Sequence, residues 1–121
     1  MRRIEIDIRG FGKAIADLDD RNPRTAEAVW DALPIEGRAM LWGDEVYFET
    51  PVECEDENTS PSATAGDISY WRPGRAICIF FGRTQPYSPV NHIGRISEGL
   101  EIFAAVEEGA EIVLRRAQKH M

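Results

Sequence analysis

The chain has 121 residues, 43% hydrophobic and 29% charged, with a formal net charge of −7. That length and composition fit one globular domain, residues 1–121, large enough to bury a core without disulfide or metal staples, and they exclude a disordered chain. The acidic balance argues against a protein that works by neutralising phosphates, so nucleic acid is not an expected partner.

At the start of the chain Ile4, Ile6 and Ile8 alternate with Arg3, Glu5, Asp7 and Arg9, the period of two expected of a strand with one buried face. No unbroken apolar stretch interrupts the charges there. The segment therefore reads as neither signal peptide nor membrane span, and the expectation is a cytoplasmic protein with no membrane partner. Gly10-Phe11-Gly12 turns the chain into a second strand over Lys13 to Leu18, forming a hairpin. A helix follows: Asn22 suits the N-cap, Pro23 the first helical position, and Ala26, Val29, Trp30 and Leu33 fall on one face before Pro34 ends it.

Two strands, Arg38 to Trp42 and Val46 to Thr50, flank the short connection Gly43-Asp44-Glu45. Residues 52–65 are acidic, then small and polar, without apolar period, and read as a long, mobile surface loop. Strands from Asp67 to Trp71 and from Ala76 to Phe81 are joined by turn chemistry at Arg72, Pro73, Gly74 and Arg75. The second is apolar on both faces, as in a central or barrel strand. After a loop containing Pro86 and Pro89, a short strand at Arg95 to Ser97, a short helix at Leu100 to Val106 capped by Gly109, and a last strand at Glu111 to Arg116 complete the chain. Many short strands with one clear helix and a short second one predict a mainly β fold, a small β-barrel.

The segment His92-Ile93-Gly94-Arg95-Ile96-Ser97-Glu98-Gly99-Leu100 resembles the strand, turn and helix near the end of cyclophilins. Asn22 to Ala26, Leu33-Pro34, Trp42 to Phe48 and Phe80 to Thr84 are similar to the helix, hairpin and strand end of a compact prokaryotic cyclophilin-like family of uncharacterised function. The resemblance spans nearly the whole chain and implies a cyclophilin-like β-barrel. Cyclophilins isomerise the bond before proline, stabilising a twisted amide through hydrogen bonding and shape. By that resemblance Arg38 and His92 take catalytic roles and Phe81 receives the proline ring. The catalytic pattern is incomplete: Ile79 stands nearest the expected glutamine, and no tryptophan precedes His92 in its loop.

Trp42, Tyr47, Phe48, Tyr70, Trp71, Phe80 and Phe81 concentrate aromatics in two hairpins, enough to line an apolar cleft or simply to fill a core. Alternation sends one member of each adjacent pair inward and the other outward. The candidate substrate-binding residues are Trp42, Glu45, Tyr47, Trp71 and Phe81, with Glu45 a carboxylate beside aromatic surface whose pKa is open to upward shift. Asp44 reads as turn chemistry, and Glu53, Glu55, Asp56 and Glu57 as a solvated charge run without the spacing of a calcium loop. His120 is beside the C-terminus, so His92 is the one histidine positioned for a site; its bland alternative is a ring satisfied by backbone. No metal site and no cofactor are expected. Cys54 and Cys78 do not make a disulfide framework, and Cys78 reads as a buried, inert thiol.

The expectation is a small binding protein whose aromatic cleft takes a small molecule or an extended, proline-containing peptide. Two alternatives stand beside it. One is a peptidyl-prolyl isomerase. The other, implied by cyclophilin-like domains in allophanate hydrolase systems, is a non-catalytic subunit or regulator of an amide-hydrolysing enzyme. A second copy of the chain, giving a homodimer, is a further candidate partner.

Overall fold

The computed structural model describes residues 2–117, so His120 lies outside the described residues. The strands are β1 (Arg3–Ile8), β2 (Gly12–Leu18), β3 (Ile35–Arg38), β4 (Met40–Leu41), β5 (Glu45–Glu49), β6 (Asp67–Trp71), β7 (Ala76–Phe80), β8 (Asn91–Glu98) and β9 (Glu111–Arg116). Helix α1 (Pro23–Ala32) and two 3-10 segments, Arg72–Gly74 and Leu100–Ala105, complete the elements. One antiparallel sheet runs β3-β9-β1-β2-β8-β6-β7-β5-β4. Its first strand returns against β5, where a Cβ at Gly37 would lie only 2.8 Å from the Phe48 ring. Glycine there lets the sheet curl into a nearly closed barrel.

The alternating isoleucines of β1 pair with β2 and β9 and are fully buried, as their period requires. With Phe48, Ile68, Tyr70, Ile77 and Ile79 from the other side of the barrel they form one apolar cluster. Helix α1 contributes Thr25, Ala26 and Val29 as its buried residues. Among the described residues no helix is long and apolar enough to cross a membrane.

Three local expectations change. The strand expected over Arg38 to Trp42 is two strands, because at Ala39 the chain exchanges partners: Ala39 N–H donates to Ala110 and the Ala39 carbonyl accepts from Gly109. The strand expected over Arg95 to Ser97 starts at Asn91, since β6 pairs along its length. Gly109 does not cap the second helix; Val106 occupies that position, and Gly109, with φ 89°, serves the turn into β9.

The acidic segment 52–65 is pinned by its own side chains. Glu57 accepts from the backbone N–H groups of Arg24 and Thr25 at 3.2 and 3.1 Å and from the Thr25 hydroxyl at 2.9 Å, so it caps α1 from a distant loop. The expected capping residue, Asn22, is fully buried and spends its amide elsewhere, donating to the His92 carbonyl and accepting from Asn58 N–H. Ser60 bridges to Val90, and the Tyr70 hydroxyl donates to the Val52 carbonyl and accepts from Cys54 N–H. Partial burial pulls the Glu57 pKa upward, but the Thr25 and Arg24 donors outweigh it and hold the carboxyl below its ordinary value. A lowered folded pKa contributes stability that is present above the ordinary carboxylate range and lost as pH falls through the folded value. Glu57→Ala is expected to lower stability by about 1 kcal/mol at neutral pH in chemical denaturation, and by less under acid.

Candidate functional site

Side chains on a strand point to alternate faces, and this period builds the site. Val46 and Phe48 of β5 face the barrel interior, whereas Glu45 and Tyr47 face outward, opposite Phe80 and Cys78 of β7. Ser69 and Trp71 of β6 lie opposite Cys78 and Ala76 and continue this outer face. In most small barrels such a face is wet. Here all of β7 is buried, because the loop between β7 and β8 folds back over it.

Loop and sheet enclose a cleft of about 180 Å³. Trp42, Glu45, Tyr47, Trp71 and Cys78 come from the sheet and its hairpin, and Pro86, Tyr87 and Val90 from the loop. Trp42 is held by a tight turn in which Trp42 and Glu45 exchange both backbone hydrogen bonds across Gly43 and Asp44. The turn is tied to the loop, Asp44 N–H donating to the Thr84 hydroxyl at 2.6 Å and Arg83 N–H to the Asp44 carboxylate at 3.2 Å. The Trp71 indole N–H donates to the Ser88 hydroxyl at 2.7 Å. Tyr87, 77% exposed, stands edge-on to both indoles, with ring centroids 6.0 Å from Trp42 and 6.2 Å from Trp71 and planes near perpendicular.

Glu45 is the charged group of the cleft. It is 6% exposed, and none of the ion pairs among the described residues involves it. Burial pushes its carboxyl above the ordinary value, with the Cys78 thiol pulling the other way. Burial first, and then the neighbouring Glu45, raise Cys78 well above the ordinary thiol range, so the thiol is a neutral wall of the cleft.

Four of the sequence-derived candidates, Trp42, Glu45, Tyr47 and Trp71, therefore meet in one place. Phe81 lies elsewhere: Phe80 faces the outer side, so the next residue faces in, and Phe81 stacks on Phe103 with centroids 6.4 Å apart. Arg38 is exposed on β3, with Nη2 3.5 Å from Glu111 and Nη1 donating to the Gly109 carbonyl, outside the cleft lining. His92 is buried. Its Nδ1 is 2.6 Å from the Ser69 hydroxyl and its Nε2 is 2.7 Å from the Ser62 carbonyl, so a ring with its hydrogen on Nε2 satisfies both. Beside it, Asp67 gathers Arg21, Arg95 and Thr64 N–H, a network that fastens loop to barrel. Pro86, Tyr87 and Val90 were not among the candidates, since a loop side chain has no period to place it; the one local signal is an aromatic set between Pro86 and Pro89.

The sequence matches the cyclophilin-like family over residues 2–115. The chain belongs to the cyclophilin-like family. No curated protein sequence matches it significantly. Among solved structures it is similar to a hypothetical protein of Archaeoglobus fulgidus, AF2241, known from its solution structure. The two share 38% identity with a TM-score of 0.83 over 96% of this chain and 95% of that one. It is also similar to McbB, solved in complex with tryptophan, at 19% identity and a TM-score of 0.81. That alignment covers 98% of this chain but 46% of McbB, and it shows a shared fold.

Two outcomes test this cyclophilin-like site. A Cβ at Gly74 would lie 2.5 Å from the Trp71 ring, so Gly74→Ala displaces the indole. The expected result is a stability loss of about 1 kcal/mol in denaturant titration and a shifted Trp71 indole N–H resonance as its bond to Ser88 is disturbed. For Glu45 the raised folded pKa gives the opposite pH sign to Glu57: the native state holds the proton more tightly, so its contribution is complete below the ordinary carboxylate pKa and is lost as pH rises through the folded value. Glu45→Gln is expected to remove that downward slope from the stability profile measured between acid and neutral pH.

Proposed function

We propose that this protein binds a small molecule in the outer-face aromatic cleft, without strong catalysis of its own. The observation that carries the reading is the convergence of Trp42, Tyr47, Trp71 and Tyr87 around one buried carboxylate in a compact volume. Aromatic walls with a single placed polar group are what a small-ligand site needs. The cleft's small volume favours a compact molecule, or one side chain of a larger one, over an extended peptide. The separation of Arg38 and His92 from the cleft lends the isomerase reading no support.

A partner subunit is the second reading, favoured by the exposed Trp42 and Tyr87 of the cleft lining. It predicts that the protein self-associates, or that its rim is covered only in a larger assembly.

A metabolite set, with tryptophan included because McbB is found with it, tests the first reading. The readout is the indole N–H resonances in two-dimensional NMR. Trp30 is an internal reference, since it lies on α1 against the guanidinium groups of Arg2 and Arg116 and outside the cleft lining. Binding is expected to shift Trp42 and Trp71 and leave Trp30 in place, and Trp71→Ala to weaken it by about tenfold or more. Shifts centred away from the cleft, or silence across the whole set, would remove the small-molecule reading. Size-exclusion chromatography with light scattering decides the second reading's homodimer.

A further inference from the structure

The chemistry of the cleft is one-sided. No lysine, arginine or histidine lines it, so it offers no counter-charge to an anion. Its walls are aromatic, and Tyr87 stands near perpendicular to both indoles, so the walls form a corner rather than parallel plates. Glu45, a residue only 6% exposed, lines the same cleft and has no cationic partner among the described residues. Its hydrogen-bond neighbour is the neutral Cys78 thiol, which supplies no charge, so a positive charge in the cleft would be its complement.

We propose that the cleft is a receptor for a compact organic cation, a tertiary or quaternary methylated ammonium group, with Glu45 as its counter-charge and Trp42, Tyr47, Trp71 and Tyr87 as its walls. This rests on the small-molecule reading above and names its ligand class. Cation–π attraction to the aromatic walls and the charge of the Glu45 carboxylate would act on the same bound cation. The methylated head is favoured over a bare ammonium by hydrogen-bond supply. A primary ammonium brings three N–H donors that must each find a well-placed acceptor; a quaternary head brings none and needs only apolar and aromatic surface beside its counter-charge. A metal ion is disfavoured because, among the described residues, no three acidic, histidine or cysteine side chains gather at one point.

The test compares choline with 3,3-dimethylbutan-1-ol, which has the same shape with carbon in place of the charged nitrogen. Both are titrated into the full-length protein and followed by the Trp42 and Trp71 indole resonances, with Trp30 as reference. Choline is expected to bind about tenfold tighter than the alcohol. In Glu45→Gln, whose side chain has the same size without the charge, that preference is expected to shrink several-fold. Equal or tighter binding of the neutral alcohol by the native protein would overturn the cation inference while leaving the small-molecule reading in place. An unchanged preference in Glu45→Gln would overturn the role given to Glu45. If neither probe binds, the cation inference falls, and the small-molecule reading is decided by the metabolite set alone. The native comparison needs no variant, so poor folding of Glu45→Gln does not weaken it.

Discussion

The strict alternation of side chains on β5, β7 and β6, with both faces of that sheet covered, is the constraint on which the rest depends. One set, including Val46, Phe48, Ile77 and Ile79, fills the barrel. The other set, Glu45, Tyr47, Cys78 and Trp71, would face water in a bare barrel and instead lies under a returning loop. A slip of one residue in the β5–β7 register would send Glu45 into the interior and Phe48 into the cleft, so core and site are fixed by the same pairing. The loop is in turn held from several sides: by the turn carrying Trp42, by the hydroxyl that Trp71 reaches, and by Gln85 paired with the Ala63 backbone.

Much of the fold was legible because its signals are local. The isoleucines of β1, the Pro23 start of α1 and the apolar run of β7 each carry their period or punctuation within a few residues, and the resemblance to cyclophilin-like proteins supplied the closure. What escaped depends on distant partners. The split at Ala39 reflects a contact with Ala110 some seventy positions along the chain. The acidic segment looked loose because its anchors, Thr25, Asn22 and Asn91, lie in other elements. Glu57 shows the difficulty well: in sequence it is one more acid in a charged run, and in space it satisfies the N-terminal donors of a helix.

The site was legible to a similar degree. Trp42, Tyr47 and Trp71 could be placed by alternation, and Glu45 by its position beside the hairpin. Phe81 was misleading because its place in a Phe-Phe pair leaves open which member faces in until the register is known. His92 and Arg38 came from the family resemblance, and in this chain their surroundings are structural: the His92 ring is closed off by Ser69 and Ser62, and Arg38 is engaged at the β3–β9 margin. The cyclophilin-like barrel is thus retained while its aromatic cleft gathers around Glu45, with Arg38 and His92 outside the lining.

The central claim is that an acidic group is held largely out of water on the wall of an aromatic cleft, awaiting a partner. It is tested most directly by following the carboxyl carbon of Glu45 by NMR across acid to neutral pH, first in the free protein and then with saturating choline. The account predicts a midpoint above the ordinary carboxylate range in the free protein, falling when the cation is present. An ordinary midpoint that does not respond to the ligand would show a hydrated, unengaged carboxylate and contradict the account.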